Sequence, residues 1–550
     1  MTRNTLSGGG RLARRSSALR VAAAIVVGLG GWGSGAASGQ IPDVGVIRIT
    51  ESDGRFRTSA PLTREDPYWF QFDTLVDPRK PDRGTRGRVA EQLVYEIISG
   101  MTGPGDGPAK AEQAARELVA FVPERPAAHY NLACVLASRG KINEALDAYE
   151  KAIALGWRHE RHTSMDGSLD PLRSHPRFAA LTERMTRLVA EEAVTPRPIR
   201  TDAWQTAVGD LEREAPAILA RHHVPGASIA LVSDGRVVWT GAFGRKDERS
   251  DERLSMGTLF RVDGPARLLT AIVAMQLHER QAWSLDDPLS KWTSALRFGS
   301  LDFARDVTIR RALNHTAGLA ARRLTEPAEG VDDEINRTIV LDPSRVGVKY
   351  TWAPEAYLAV GRAVEKALAN PDTADQRESD EFDGYFGERV RAGVLTPLRM
   401  NATRTGYVTR ERFDVATGHS EYGTPYLAAM EPRKPASPIF TTAGDLGLLL
   451  EFMLGSHADG VRPVLTIESI ASMHAPGLEH PALAGWHFGL GIEVRETEFG
   501  RCAQVSSVRQ GVGCLMRWYP DSKCGVVILF NADTGLPAAE RLANLSLGGI

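Results

Sequence analysis

The chain has 550 residues, with 66 lysines and arginines against 68 aspartates and glutamates, and a formal net charge of −2. Hydrophobic residues make up 43% and charged residues 24% of the sequence, which is ordinary usage for a folded protein and excludes wholesale disorder. The balanced charge leaves no excess of basic residues of the kind that binds nucleic acid, so we expect no nucleic-acid partner. Four cysteines in a chain of this length exclude a disulfide-rich scaffold.

The first 39 residues predict an export signal. Five arginines and no acidic residue occupy positions 1–20, an apolar run follows from Val21 to Trp32, and small residues continue from there. A basic segment, a short apolar core and a small-residue tail are typical of a secretory signal peptide. The apolar run is shorter than the about 20 residues that a membrane-spanning helix needs. We therefore predict export to the periplasm or the extracellular space, with no membrane span after cleavage near residues 37–39.

Two segments follow the signal. Residues 40–84 are polar, rich in proline and aspartate and without a clear period, and we interpret them as a lead segment or linker. Residues 85–192 show helical periodicity and predict an all-α unit. Within this unit, small residues at Ala133 and Ala145 allow two antiparallel helices to approach closely.

This helix pair resembles a tetratricopeptide repeat. The matching positions are Leu132, Ala133, Leu136, Gly140, Ala145, Tyr149 and Ala152. The sequence departs from the repeat at Trp157, where the family usually places a proline that stops the second helix. One clear copy is present, whereas an independent solenoid normally needs about three. The resemblance implies a surface that binds a protein partner; the other interpretation is a small helical cap packed on the next domain.

Residues 200–550 predict one large domain. A helix is expected from Trp204, two apolar strands joined by a turn at Asp234-Gly235, and a strongly apolar helix over Leu268–Leu277. The chain ends with the apolar strand Gly525–Asn531 and a last helix. Strands at both ends with helices between them predict an α+β fold, in which one antiparallel sheet is flanked by helices and its first and last strands pair.

Five short sequence words in this domain resemble the serine beta-lactamase and penicillin-binding-protein superfamily, in its class C, esterase and D-peptidase branch. They are Val224-Pro-Gly226, Phe260-Arg261, Leu285-Asp-Asp-Pro288, Asn314-His-Thr-Ala-Gly-Leu319 and Leu395-Thr-Pro-Leu-Arg-Met400. The resemblance implies a beta-lactamase/transpeptidase-like fold and, as the family's activity, a serine hydrolase acting on beta-lactams, D-peptides or esters. His315, inside the fourth word, is interpreted as a turn residue beside the sheet.

The residues at the family's first catalytic motif do not fit the family's chemistry. In the family, the helix after the Phe260-Arg261 word begins with Ser-x-x-Lys, whose serine attacks a carbonyl and whose lysine helps to take the serine proton. The register places Gly264 at the serine and Arg267 at the lysine. Glycine offers no nucleophile, and arginine cannot act as a base at neutral pH.

The two other motifs are also replaced. For Tyr-x-Asn, the register places Trp352 at the tyrosine and Pro354 at the asparagine, and neither side chain can relay a proton or bind a substrate amide. Tyr350 stands two residues earlier, where the family also tends to carry an aromatic residue. The third motif, Lys-Thr-Gly or His-x-Gly, falls on Val505-Ser506-Ser507. We therefore predict a non-catalytic protein that binds a ligand or a partner.

The alternative is an active serine hydrolase with displaced catalytic residues. Candidates near the cleft are Asp263, Glu355, His487, Ser506 and Ser507. Arg267 and Trp352 are the candidate ligand-binding residues, because a guanidinium can clamp a carboxylate and an indole can stack on a ring or a sugar. The opposing interpretation is that Arg267 pairs with Asp263 or Glu355 and that the pocket is closed.

Three cysteines, Cys502, Cys514 and Cys524, lie close together in the sequence. In an oxidising compartment one pair of them could form a disulfide, and the sequence leaves the connectivity open. Their spacing lacks two Cys-x-x-Cys pairs or a histidine partner, so we expect no zinc site. We expect no cofactor either.

Overall fold

The computed structural model describes residues 49–52, 55–58, 83–102, 105–192, 204–294, 296, 301–321, 332, 335–336, 339–368, 383–405, 408, 412–426, 438–456, 464–480 and 485–547. The chain divides into two compact units, one up to Val189 and the other from Ala190 onwards. The predicted export signal lies outside the described residues. Within them, no helix combines the length and the apolar character that crossing a membrane requires.

The first unit consists of a small hairpin and a series of helices. Its elements are β1 (Ile49–Ser52), β2 (Arg55–Thr58), α1 (Arg83–Thr102), α2 (Gly107–Phe121), α3 (Pro126–Ser138), α4 (Ile142–Ala154), α5 (Glu160–Met165), a 3-10 helix (Gly167–Leu172) and α6 (Pro176–Glu192). The antiparallel β1–β2 hairpin lies in the segment that we interpreted as a linker. The polar and non-periodic sequence of that segment did not indicate the hairpin.

Helices α3 and α4 form the predicted helix pair. Ala133 and Ala145 are fully buried, so the two helices approach closely where their side chains are small. The turn between the helices contains Gly140 at a φ of 72°, in the left-handed region that favours glycine. The pair is therefore built as the repeat pattern predicted.

Trp157 lies just beyond the end of α4, where the repeat usually has a proline. Gly156 has a φ of 112°, and the Trp157 backbone N–H donates to the Ala152 carbonyl at 2.9 Å, which ends the helix without proline. The indole stacks on the ring of Tyr130 with 4.0 Å between centroids, and its Nε1–H donates to Thr163 Oγ1 at 3.1 Å. Trp157 thus acts as a core side chain of this unit.

The second unit contains the remaining elements. They are α7 (Trp204–Arg221), β3 (Gly226–Ser233), β4 (Arg236–Gly244), β5 (Phe260–Val262), α8 (Gly264–Glu279), α9 (Leu289–Trp292), α10 (Leu301–Asp306), α11 (Ile309–Leu313), β6 (Leu319–Ala321), β7 (Ile339–Leu341), a 3-10 helix (Pro343–Arg345), α12 (Ala356–Leu368), α13 (Asp383–Val390), a π-helix (Arg391–Leu395), β8 (Gly418–His419), β9 (Pro425–Tyr426), β10 (Ile439–Thr441), α14 (Ala443–Met453), α15 (Ile467–Met473), β11 (His487–Phe488), β12 (Glu493–Thr497), β13 (Gly500–Arg509), β14 (Val512–Tyr519), β15 (Cys524–Phe530) and α16 (Gly535–Ser546).

A seven-stranded antiparallel sheet organises this unit, in the order β11-β12-β13-β14-β15-β3-β4. Strands β3 and β15 pair with each other, so the first and last strands of the domain are neighbours, as predicted. Every residue of both strands is buried, which explains why their sequences are predominantly apolar. The predicted α+β architecture of a sheet flanked by helices is confirmed.

The sheet separates two hydrophobic cores. Along β14, Met516 and Trp518 face the core that contains α8, whereas Leu515 and Tyr519 face the core beneath α7 and α16. This alternation follows from the two-residue period of a strand. Helix α8 lies wholly within the first core, and each of its residues from 264 to 277 is buried.

The start of α8 is positioned by a short strand pair. Strand β5 pairs with β10 and is separated from α8 by a single residue, Asp263. The first turn of α8 lies against β13, so the helix start meets the sheet near the strand that carries Val505. The elements that carry the predicted site residues are therefore adjacent.

We expect Trp157→Ala to destabilise the first unit by about 3–5 kcal/mol, because it removes a buried indole and leaves a cavity beside Tyr130. Urea unfolding of the full chain, followed by hydrogen exchange in α3 and α4, measures the loss. Trp157→Phe is the matched control: it keeps a stacked ring and should cost clearly less. Equal losses for the two variants would contradict the role of the indole stack.

Candidate functional site

Gly264, the first residue of α8, lies in direct contact with strand β13. Its backbone N–H donates to Ser507 Oγ at 3.0 Å. A Cβ atom at this position would lie 2.8 Å from Val505 Cγ1 and 3.0 Å from Ser507 Oγ. Both distances are shorter than ordinary van der Waals contacts, so any side chain here forces its neighbours to move. Position 264 is glycine because the helix and the strand are too close for anything larger.

On strand β13, the residues that contact Gly264 are Val505 and Ser507. They are two residues apart on β13, so their side chains lie on the same face of the sheet. Their partners across β14 are Met516 and Cys514. The structure thus brings Gly264 and Val505 together, two positions that the sequence register had placed in one site.

Arg267 lies one helical turn after Gly264 and is 9% exposed. Its Nη2 donates to the Ser506 carbonyl at 3.4 Å, and its Cζ lies 4.9 Å from the ring centroid of Trp352. The structure therefore also brings Arg267 and Trp352 together. Their assignment to family motifs remains a prediction.

The interpretation that Arg267 pairs with Asp263 or Glu355 is wrong. Asp263 Oδ2 instead lies 3.5 Å from Nη1 of Arg509. Within the described part of the chain, the Arg267 guanidinium has no carboxylate within 4 Å. The positive charge of Arg267 is stabilised by a carbonyl and an aromatic face, which are weaker partners for a buried cation than a carboxylate.

Trp352 belongs to a cluster of aromatic rings that the sequence analysis did not predict. His315 lies 4.5 Å from Trp352 and 4.6 Å from Phe488, measured between ring centroids. Tyr350 lies 5.6 Å from His315 and 5.8 Å from Phe488. The signal in the sequence was the nearness of Tyr350 to Trp352, whereas Phe488 comes from the distant edge strand β11.

Two polar atoms in this cluster are buried without a partner. His315 Nδ1 accepts the backbone N–H of Ala353 at 3.3 Å, while Nε2 has no hydrogen-bond partner. Burial and the positive charge of Arg267 hold the pKa of His315 well below its ordinary value, so the imidazole is neutral and Nε2 carries its hydrogen. The Tyr350 hydroxyl is also buried and unpartnered, and burial raises its pKa, so it remains a donor.

Pro354 and His487 are less closely connected to this site. Pro354 lies in the turn before α12, where its carbonyl accepts the N–H of Tyr357 at 3.1 Å. His487 lies on β11, paired with Val494, and is half-buried. Within the described residues, no hydrogen bond or ring contact joins either of them to Arg267.

All four cysteines lie in the described part of the chain, are buried and form no disulfide, so the pairing that the sequence left open among Cys502, Cys514 and Cys524 is absent. Cys514 Sγ lies 3.5 Å from Ser507 Oγ. Burial raises the pKa of the Cys514 thiol to about 12, so it stays protonated at neutral pH. Across the described ranges, no cluster of three or more His, Cys, Asp or Glu residues could hold a metal ion.

A buried polar chain crosses the sheet beside the site. Gln504 Nε2 donates to Glu493 Oε2 at 2.7 Å, and Gln504 Oε1 accepts Nη2 of Arg517, also at 2.7 Å. Arg517 in turn pairs with Glu540 on α16 at 2.7 Å. Burial raises the pKa of Glu493 to about 7, an effect that Gln504 and the charge of Arg267 oppose. The sequence analysis missed Glu493, which begins a strand whose later residues, Arg495 and Glu496, are exposed, so its burial has no local signal.

Comparisons with known proteins agree with this fold. The sequence model of the family described as "Beta-lactamase" matches residues 208–547, and that of the "Tetratricopeptide repeat" matches residues 126–155. Penicillin-binding protein 4 of Amycolatopsis lactamdurans is 27% identical over 271 residues, which cover 47% of this chain and 67% of that protein.

Two solved structures have the same fold. A beta-lactamase/D-alanine carboxypeptidase from Pseudomonas syringae aligns with a TM-score of 0.52 at 16% identity, covering 63% of this chain and 99% of that one. An octameric penicillin-binding protein homologue from Pyrococcus abyssi aligns with a TM-score of 0.50 at 21% identity, covering 62% and 77%. At these identities the likeness concerns the fold alone.

We expect Gly264→Ala to destabilise the protein by about 1–3 kcal/mol, because the new methyl group overlaps Val505. Adding Val505→Ala should recover part of this loss, so the double variant is more stable than the sum of the single variants predicts by about 0.5 kcal/mol or more. Urea unfolding of the four proteins measures this coupling.

The control for that cycle is Gly209→Ala in α7, where an added Cβ has no atom within 4 Å. It should stabilise the protein by up to about 1 kcal/mol through helix propensity. If the two substitutions change the free energy of unfolding in a strictly additive way, the contact between positions 264 and 505 does not determine which residue fits at the start of α8.

The raised pKa of Glu493 predicts a pH dependence of stability. Between its ordinary pKa of 4.5 and about 7, the folded protein holds a proton that the unfolded chain has released, so stability falls as the pH rises. Glu493→Gln cannot ionise, and its stability relative to the wild type should increase across this window by at most about 3 kcal/mol. Urea unfolding of both proteins at pH 4.5 to 8 measures the difference, and a constant difference would contradict the burial effect.

Proposed function

The chain belongs to the beta-lactamase family through residues 208–547, and within that family we propose that it is a non-catalytic, exported member that acts by binding. The observation that carries the proposal is the contact between Gly264 and β13. At the position that we assign to the nucleophile there is no side chain, and the space for one is occupied by Val505 and Ser507.

The residue that we assign to the family's lysine supports the same conclusion. An arginine at position 267 stays protonated and cannot take a proton from a nucleophile. Its guanidinium is buried against Trp352, which itself stands at the position assigned to the proton-relaying tyrosine. Removing one member of a cooperating catalytic set typically lowers the rate by about 10⁴-fold or more, and here each assigned member is replaced.

Ser507 is the strongest candidate for a displaced nucleophile, because its hydroxyl lies at the N-terminus of α8. Its Oγ accepts the Gly264 N–H, and its other neighbour is the protonated thiol of Cys514. No carboxylate or imidazole of the described residues hydrogen-bonds to Ser507 Oγ. A serine without a base is a weak nucleophile, so the contacts of Ser507 favour binding over hydrolysis.

The first unit adds a second mode of binding to the proposal. A tetratricopeptide repeat suggests protein–protein interaction, and this chain carries one at residues 126–155. We place the protein partner on this unit and a small ligand in the cleft beside Arg267. Export rests on the sequence of residues 1–39, and the partner would therefore be met outside the cytoplasm.

The proposal predicts that the purified protein is not acylated. Incubation with a fluorescent penicillin and with a fluorophosphonate, followed by intact mass measurement, should show no covalent adduct, whereas an active class C beta-lactamase treated in parallel is labelled. Stoichiometric labelling of any serine would overturn the non-catalytic proposal, and Ser507→Ala would then show whether Ser507 is the site.

The same labelling assay tests our assignment of the family's motif positions to residues of this chain. Gly264→Ser should also remain unlabelled and without turnover, because Arg267, Trp352 and Val505 still provide no proton relay. Hydrolysis by this single variant would show that the cleft retains a working base and that our assignment of the motif positions is wrong.

A further inference from the structure

Arg267 carries a buried positive charge that its own protein compensates incompletely. A guanidinium has five N–H donors, and among the described residues a single one reaches an acceptor, the Ser506 carbonyl at a long 3.4 Å. The face of Trp352 provides a further, weaker contact. A cation that is nine-tenths buried without a carboxylate partner is costly, so an anion in contact with it would be bound favourably.

Two more donors border the same group of rings. His315 is 2% exposed and its Nε2–H has no acceptor; the Tyr350 hydroxyl is enclosed and has none either. His315 contacts the ring of Trp352, against which Arg267 also packs, and Tyr350 lies next to His315. Arg267, His315 and Tyr350 each offer a hydrogen-bond donor, and an acceptor-only ligand can bind to all three.

On this basis we propose that the cleft binds a small aromatic or apolar carboxylate, whose oxygens accept from Arg267, His315 Nε2–H and the Tyr350 hydroxyl. The inference rests on the proposed function and assigns the chemical class of its ligand. A planar carboxylate matches the forked geometry of a guanidinium, and the half-buried Trp352 provides a ring for the rest of the molecule. Binding a carboxylate through Arg267, His315 and Tyr350 is not a step of the family's acyl-serine chemistry.

One side of this group of residues reaches solvent, because Trp352, Ser506 and Ser507 beside Arg267 are half-buried. Asp263 Oδ2 is paired with Arg509, while its buried Oδ1 has no hydrogen-bond partner among the described residues. Within the same part of the chain, neither Glu355 nor Glu493 makes an ion pair with Arg267 within 4 Å. None of these acids therefore neutralises the Arg267 guanidinium by direct contact.

Benzoate and benzamide test this inference on the full chain. The two molecules have the same shape, but only benzoate carries a carboxylate. Isothermal titration calorimetry should show benzoate binding at least about tenfold more tightly than benzamide, as expected for charge-assisted hydrogen bonds. Inorganic phosphate, which is tetrahedral, should bind more weakly than benzoate.

Three variants locate the site. Arg267→Met should weaken benzoate binding at least about tenfold, and Tyr350→Phe, which removes one hydroxyl and keeps the ring, should weaken it by about threefold or more. Arg236→Met is the matched control, because it removes the same charge from the exposed start of β4, and it should leave the affinity within about twofold. If Arg267→Met does not fold, Tyr350→Phe with the control still decides the question.

The outcomes separate this inference from the proposed function. Absence of benzoate binding, equal affinity for benzamide, tighter binding of phosphate, or equal effects of the Arg236 variant and a site variant would each overturn the carboxylate assignment. None of these results would make the protein a hydrolase. Covalent labelling of a serine, in contrast, overturns the non-catalytic proposal whether or not benzoate binds.

Discussion

The first turn of α8 packs against strand β13 at a distance that leaves no room for a side chain at Gly264. This contact is set from both sides, because α8 is buried throughout the core and β13 is held between β12 and β14 in the sheet. The Gly264 N–H donates a hydrogen bond to Ser507 Oγ, so the start of the helix and the strand are also linked by a polar contact. The arrangement of the cleft follows from this approach, since Arg267 and Ser506 are carried by the same two elements.

The same packing also determines the electrostatics around Arg267. A charged residue one turn into a buried helix is carried into the interior whether or not a counter-ion is present. Here the guanidinium meets a carbonyl and the face of Trp352, while the acids nearest in the sequence are engaged elsewhere, Asp263 with Arg509. Neutral His315 and Tyr350 add donors and no acceptor for this charge. The result is a positive, donor-rich and aromatic environment.

The sequence sufficed for the fold because the fold is encoded by local patterns. The largely apolar sequences of β3 and β15 indicated strands that pair in the sheet, and the small residues Ala133 and Ala145 indicated a close helix pair. The nearness of Gly264 to Val505 also followed from the register of the sequence words, which placed both positions in one site. In each case the pattern lies within a single helix or strand, or in short sequence words that follow the order found in the family.

The rest of the site depends on contacts between distant segments, which no local pattern specifies. Phe488 reaches the ring of His315 from an edge strand more than 170 positions later in the chain, and Glu493 meets Gln504 only because of the strand register. The partner of Arg267 was mispredicted for the same reason, since an acid nearby in sequence, Asp263, is drawn to an arginine on β13. Trp157 shows that a departure from a repeat pattern can be a packing solution, one that becomes visible only when Tyr130 is placed beside it.

The close approach at Gly264 also constrains how this protein can change over time. A larger residue at position 264 is crowded by the branched side chain at position 505, so the residue that position 264 tolerates depends on the size of residue 505. A stepwise route to any side chain at the helix start passes through an overpacked and less stable protein. Packing against Val505 and Ser507 therefore favours glycine at position 264, whatever the chemistry of the cleft.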